Sequence, residues 1–315
     1  MIVFIDFLRA LATCLITNTH YTGVYPIEAL ANGGGTGNVL FFLVSGYCLY
    51  HIREPFLKWY ARRLHRLYLP TWIITAVYLL LGAYTMTQRN PFAWLVYPTG
   101  YHFVASIILL YAIYYLLIRP QWLRQRIGLT MAAVALLGAV YYIFFFDRSF
   151  YHITDVWAIP MRVLFLECML LGAWFRQKQT TASFRWWYLV GAILFTGLDF
   201  VGRHLLSSRT SLYSLQIVAL PILFAQVYCI FQLFAGLNPR LERLPKAALR
   251  AVRFLATITL EIYVVQGPII EFLAPKLGFP VNWFALTGSI LLAATALHLI
   301  SSTLPKYLRN KLHAK

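Results

Sequence analysis

The chain has 315 residues, 60% of them hydrophobic and 17% aromatic, with a mean hydropathy of +0.67 and a formal net charge of +17. A soluble domain is only about half apolar, so an apolar excess spread along the whole length argues against one or two soluble domains and for a membrane domain. The basic excess is read as a topology signal and not as a nucleic-acid footprint, because cytoplasmic loops between spans retain Lys and Arg.

A span needs roughly 20 apolar residues. In chain order, windows of this kind fall at 2–21, 38–52, 70–88, 103–118, 128–146, 156–175, 186–203, 211–235, 254–272 and 283–304. The expectation is an all-α polytopic membrane protein of about ten helices, one domain over residues 1–315. The first run has neither a basic leader nor a small-residue cleavage site, so it is read as a span and not as a signal peptide. The second is short, and its approach "GGGTGN" is read as a possible dip into the bilayer.

Charge supports an N-in, C-in orientation. With the N-terminus inside, Arg53, Lys58, Arg62, Arg63 and Arg66 share an inner loop. Further inner loops hold Arg119 to Arg126, Arg176 to Arg185, and Arg240 to Arg253. Arg9 and Arg162 are left within spans. Cys14, Cys48, Cys168 and Cys229 fall in apolar runs without a Cys-x-x-Cys, and are read as small packing residues. No two histidines share metal-ligand spacing on one helix, so no metal site is expected.

The opening "MIVFIDFLRALATCLITNTHY" is a span that holds Asp6, Arg9 and His20. Eleven residues return within about 20° of the same helix face after a rise of ~16 Å. The three groups therefore form a stripe across much of a bilayer. A charge at that depth costs ~2.5–3.5 kcal/mol on insertion scales and normally faces protein or a wet cavity. Two readings stay open: a structural Asp6–Arg9 pair near the inner interface with an interfacial His20, or a polar shaft with the imidazole at its outer end.

Three motifs follow in order: Arg-x10-His from Arg9 to His20 within "IDFLRA", then "FFLVSGY" with Ser45 and Gly46, then "FLKWYARRLHRLYLPTW" ending near Pro70. Together they resemble the membrane-bound acyltransferase family 3, integral-membrane enzymes that O-acylate bacterial cell-surface glycans. Farther on, "TLEIYVVQGPII" carries Tyr263, with Gln266 where the family often has histidine. Gln exchanges hydrogen bonds but takes no proton at neutral pH. "YHFVASIILLY", with His102, departs from the family's usual Trp-Phe-Leu, and no role is carried over there.

The resemblance implies O-acyl transfer, with acetyl the expected group. The acyl would pass from cytoplasmic acyl-CoA, a co-substrate and not a resident cofactor, to a hydroxyl of a polysaccharide such as exopolysaccharide or lipopolysaccharide, or of its lipid-linked saccharide precursor. The location implied is the bacterial inner membrane, with membrane lipids and polysaccharide-assembly proteins as neighbours and no nucleic acid. Arg62, Arg63 and Arg66 become candidates for the CoA phosphates, because guanidinium pairs phosphate oxygens in a bidentate way. His20 becomes the candidate general base, or an acyl-histidine nucleophile. Arg9 would line the shaft or polarise the thioester, with Asp6 as its charge partner.

Weaker candidates for substrate or oxyanion contact are Arg162, Ser45, Tyr263, Gln266 and Glu167. Arg162, near the outer end of its span, is placed to meet a developing oxyanion. Ser45 beside Gly46 reads as a close-packing site, with no Gly-x-Ser-x-Gly elbow around it. Glu167 and Glu261 also read as neutral or paired structural groups. Two other functions fit the composition: an exporter using the polar stripe as its path, and an inactive relative serving as a scaffold. No inverted repeat or paired broken helices support the exporter. Oligomeric state is left open.

Overall fold

A computed structural model describes residues 2–87, 89–179 and 183–313, with side chains as far as 304 in the last helix. The helices are α1 (Val3–Thr19), α2 (Gly34–Leu49), α3 (Phe56–Leu80), α4 (Pro91–Leu95), α5 (His102–Ile118), α6 (Gln121–Gln125) and α7 (Ile127–Phe144). They continue as α8 (Ile159–Gln177), α9 (Trp186–Ser208), α10 (Ala219–Leu241), α11 (Lys246–Thr257), α12 (Thr259–Leu273) and α13 (Val281–His313). Short 3-10 segments cover Glu28–Leu30, Thr210–Val218 and Ala274–Lys276, and the described residues contain no strand. The fold is all-α.

Every sequence window overlaps helix, the one at 254–272 two of them, yet among the described residues four stretches are long and apolar enough to cross a membrane. They are Ile127–Phe144, Trp186–Ser208, Thr210–Leu241 and Val281–Leu304. The reason lies in the other helices. α1, α2, α5 and α12 are shorter, and α8 carries Arg162, Glu167 and Arg176. Their polar groups are tolerable because these helices form the interior. Thirteen residues of α8 are buried, against 17% of the α7 window and 11% of the α9 window. The apolar flanks of α7 and α9 instead face outward, as expected where lipid replaces water.

α2 and α8 form the closest crossing. A Cβ on Gly46 would overlap the Met169 carbonyl, and one on Gly172 would overlap that of Leu43. Small residues let the two backbones touch, which is how helices associate where apolar burial gives no drive. Most of "GGGTGN" is helical: α2 begins at Gly34, after Gly33 at φ +103°, and Gly37 has no room for a Cβ against the Ala12 carbonyl of α1.

Two expectations about the helices change. The basic run expected in a loop before residue 70 is helical, because α3 starts at Phe56 and runs through Pro70. Proline lacks the N–H that would bond the carbonyl four residues earlier, so the Arg66 carbonyl is left free of its helical partner. The window at 254–272 is broken at Ile258 (φ −94°, ψ 19°). Before the break, α11 is amphipathic and mostly exposed, with Lys246, Arg250 and Arg253 on one face. This pattern suits a helix lying along an interface.

Candidate active site

At the end of the bundle where α1 begins lies a chamber of about 430 Å³. Arg9 from α1, Ser45 and Cys48 from α2, Arg63 and Arg66 from α3, Glu261 from α12 and His298 from α13 line it. The helical basic segment explains the grouping: Arg63 and Arg66, three residues apart, share a face of α3. The Arg63 Nε is buried with no protein partner, and its guanidinium lies 5.7 Å from the Trp59 ring. Arg62, one residue earlier, does not join them. It projects outward and pairs with Glu54 at 2.5 Å, its side chain 55% exposed.

Asp6 is buried, and its carboxylate meets Arg253 of α11 at 3.7 Å. The ion pair therefore ties α1 to the interfacial helix, and Arg9 forms none with Asp6 despite being its charged neighbour. Arg9 stays in the chamber, where a guanidinium without a protein carboxylate favours an anionic ligand.

The chamber adjoins a smaller void of about 30 Å³. The two share Phe41, Leu67, Thr259 and Leu260 as walls. Thr13, Ile16 and Thr17 of α1, Phe103 of α5 and Tyr263 of α12 line the smaller one. Arg9, Thr13, Thr17 and His20 thus follow one another along one face of α1. Thr13 is held by Thr259 at 3.1 Å and by the Arg9 carbonyl at 2.9 Å. Tyr263 accepts the Phe103 backbone N–H at 3.1 Å.

His20 closes α1 as its last capping residue and is exposed. Its surroundings are fixed by backbone-directed bonds. Asn18 donates to the carbonyls of Leu30 (2.7 Å) and Asn32 (2.9 Å) and accepts from the Tyr25 hydroxyl (2.6 Å). Thr19 accepts the Gly34 N–H at 2.7 Å. Near this end of α1 stand His102, within electrostatic reach of His20, and Trp157, whose ring centroid is 4.9 Å from that of His102. Arg162 lies 4.9 Å over Trp157 and donates to the Tyr97 hydroxyl at 3.4 Å, while its buried Nε has no protein partner.

The remaining candidates sit apart. Gln266 is buried, lines neither void, and its Oε1 has no protein partner. Glu167 lies in a separate apolar crevice of about 360 Å³ formed by α7, α8 and α10. Ser45 faces the chamber beside the α2–α8 crossing. Of the four cysteines, Cys168 is buried, whereas Cys14 and Cys48 are exposed.

Sequence reasoning passed over three features. Thr13 and Thr17 could have been found by their four-residue spacing from Arg9. His102 lay in a segment given no role. The Glu261–His298 pair, 2.7 Å apart, joins α12 to α13 and has no local signature.

The site is therefore two-ended: cations in a partly open chamber where α1 begins, an exposed imidazole where it ends, and between them a small void walled mainly by apolar side chains beside Thr13 and Thr17. No curated protein and no solved structure matches the chain. A family model described as an acyltransferase domain matches residues 2–302. The chain is a membrane protein and belongs to the acyltransferase family 3, which makes it an acyltransferase.

Proposed function

We propose that the protein is an O-acyltransferase, with acetyl as its group, of a bacterial cytoplasmic membrane. It crosses that membrane about ten times with both termini inside, which places the chamber at the inner face and His20 at the outer. The donor is acyl-CoA, and the acceptor is a hydroxyl of a cell-surface polysaccharide or its lipid-linked precursor. The observation that carries this reading is the line Arg9–Thr13–Thr17–His20, which joins the cationic chamber to the exposed imidazole.

The division of labour follows from the chemistry. Arg9, Arg63 and Arg66 hold the phosphates of the donor, and Arg63 has a free buried donor for them. The pantetheine arm lies along α1 past Thr13 and Thr17, so the thioester arrives near His20. A neutral imidazole there takes the proton of the acceptor hydroxyl as the hydroxyl attacks. Arg162, its Nε unpartnered, stabilises the oxyanion that forms.

The test is transfer of label from [acetyl-14C]acetyl-CoA to a crude glycan extract, using membranes with and without the protein. Label in the glycan only where the protein is present supports the reading. Label remaining with the donor at all protein levels contradicts it and favours an exporter or scaffold.

A further inference from the structure

We propose that His298 is a donor-binding residue, an imidazolium held in place by Glu261 that pairs with a phosphate of acyl-CoA in the chamber. The proposal rests on the acyltransferase reading and adds a cation from α13 to the guanidiniums of α1 and α3.

The pair lines the same chamber as Arg9, Arg63 and Arg66. α3 packs against both α12 and α13, which brings Glu261 and His298 to one cavity with the arginines. His298, Ser301 and Ser302, three and four residues apart, give α13 a polar face on the chamber. The neighbouring Leu299 and Ile300 do not line it and are exposed. His298 Nδ1 lies 2.7 Å from Glu261 Oε1. That bond occupies one ring nitrogen, fixes the ring, and leaves Nε2 as the nitrogen for a ligand.

The two partners are unequally buried: the Glu261 side chain is 9% exposed and that of His298 33%. A tether between two helices gains nothing from an open imidazole, whereas a ring that meets a ligand needs one. Among the described residues no lysine or arginine lies within ion-pair distance of Glu261. A neutral imidazole would therefore leave a bare carboxylate in the chamber, which repels the phosphates of the donor. An imidazolium cancels that charge and offers Nε2–H as a charged hydrogen-bond donor.

The charge of the donor points the same way. Coenzyme A carries a diphosphate and a phosphate monoester, on the order of four negative charges, with about 1.5 to 2 of them on the monoester. With His298 neutral, the three arginines set against Glu261 leave the chamber well short of that charge. Protonated His298 narrows the gap. The other titratable groups on the chamber wall are Cys48, His65 and Tyr111, and none is a carboxylate.

The test is the dissociation constant of labelled acetyl-CoA, together with kcat at saturating donor. Membranes hold the wild type, His298→Gln, His298→Lys, or the double variant His298→Gln with Glu261→Gln. Gln keeps a hydrogen-bond donor for Glu261, so the link between α12 and α13 survives while the cation is lost. His298→Gln is expected to bind acetyl-CoA about tenfold or more weakly, with kcat unchanged. His298→Lys restores the cation and is expected to bind within about threefold of the wild type. The double variant removes the bare carboxylate and is expected to regain about threefold or more over His298→Gln. A pair that only ties helices together predicts neither the loss with Gln nor the recovery in the double variant. Wild-type affinity in His298→Gln, no rescue by Lys, or no recovery in the double variant overturns the proposal. Should His298→Gln fail to accumulate, His298→Lys decides: affinity within about threefold supports the proposal and a loss of about tenfold overturns it. A wild type that binds acetyl-CoA yet transfers nothing overturns the acyltransferase reading, while the variants still decide the role of His298. One that binds no acetyl-CoA overturns both.

Discussion

Where α1 begins, Arg9 shares a chamber with Arg63 and Arg66; where it ends, His20 stands exposed near His102, Trp157 and Arg162. Each end holds a guanidinium Nε that is buried and has no protein partner, Arg63 at one and Arg162 at the other. The surroundings make their uses different. A chamber of several cations suits a polyanion that is held throughout the reaction. A cation with an unpartnered buried Nε near an exposed imidazole suits a charge that appears only in the transition state. On the proposed reading, one polar helix serves binding and chemistry at separate depths, with mainly apolar walls beside Thr13 and Thr17 between them.

The largest expected effect removes both ends together. Gly46→Leu forces side-chain atoms into the Met169 backbone at the α2–α8 crossing. Overpacking typically costs 1–3 kcal/mol, and a backbone clash costs more. The variant should fail to accumulate in membranes by immunoblot and should neither bind donor nor transfer. A smaller effect separates the ends. Arg162→Lys keeps the charge but removes the Nε donor, so kcat should fall about a hundredfold with donor affinity unchanged.

At the other end, Arg63→Ala and Arg66→Ala should each raise KM for acyl-CoA about tenfold or more. Hydrogen bonds to charged groups contribute ~1.5–3 kcal/mol, and these act before chemistry. The smallest effect sharpens the assignment. Arg62→Ala removes an exposed pair with Glu54, worth roughly 0–1 kcal/mol, and should leave both kcat and KM within about twofold. Steady-state transfer with varied acetyl-CoA checks all three. A KM effect from Arg62 equal to that from Arg63 would break the comparison.

Much of this was legible from local pattern. Periodic apolar windows located the helices, and the eleven-residue step from Arg9 to His20 placed them on one face, because a helix fixes that relation without tertiary contacts. What depended on packing was not legible. Arg62 and Arg63 are adjacent in sequence, but the rotation of α3 turns one outward and the other into the chamber. Asp6 sits three residues from Arg9, yet α11 folds back and offers Arg253 instead. His102 lies within electrostatic reach of His20, and Glu261 bonds His298, through pairings between different helices. Spacing along one helix carries no record of such pairs. The shortness of α1, α2 and α12 likewise has its reason in their burial among neighbours.

The central claim is that donor binding and chemistry occupy opposite ends of α1. The most direct measurement compares His20→Ala with the wild type in the same membranes, recording both binding of labelled acetyl-CoA and transfer of label to glycan. The account predicts wild-type donor affinity with transfer reduced by about a thousandfold. Transfer at the wild-type rate, or loss of donor binding in a variant that still accumulates, would contradict it.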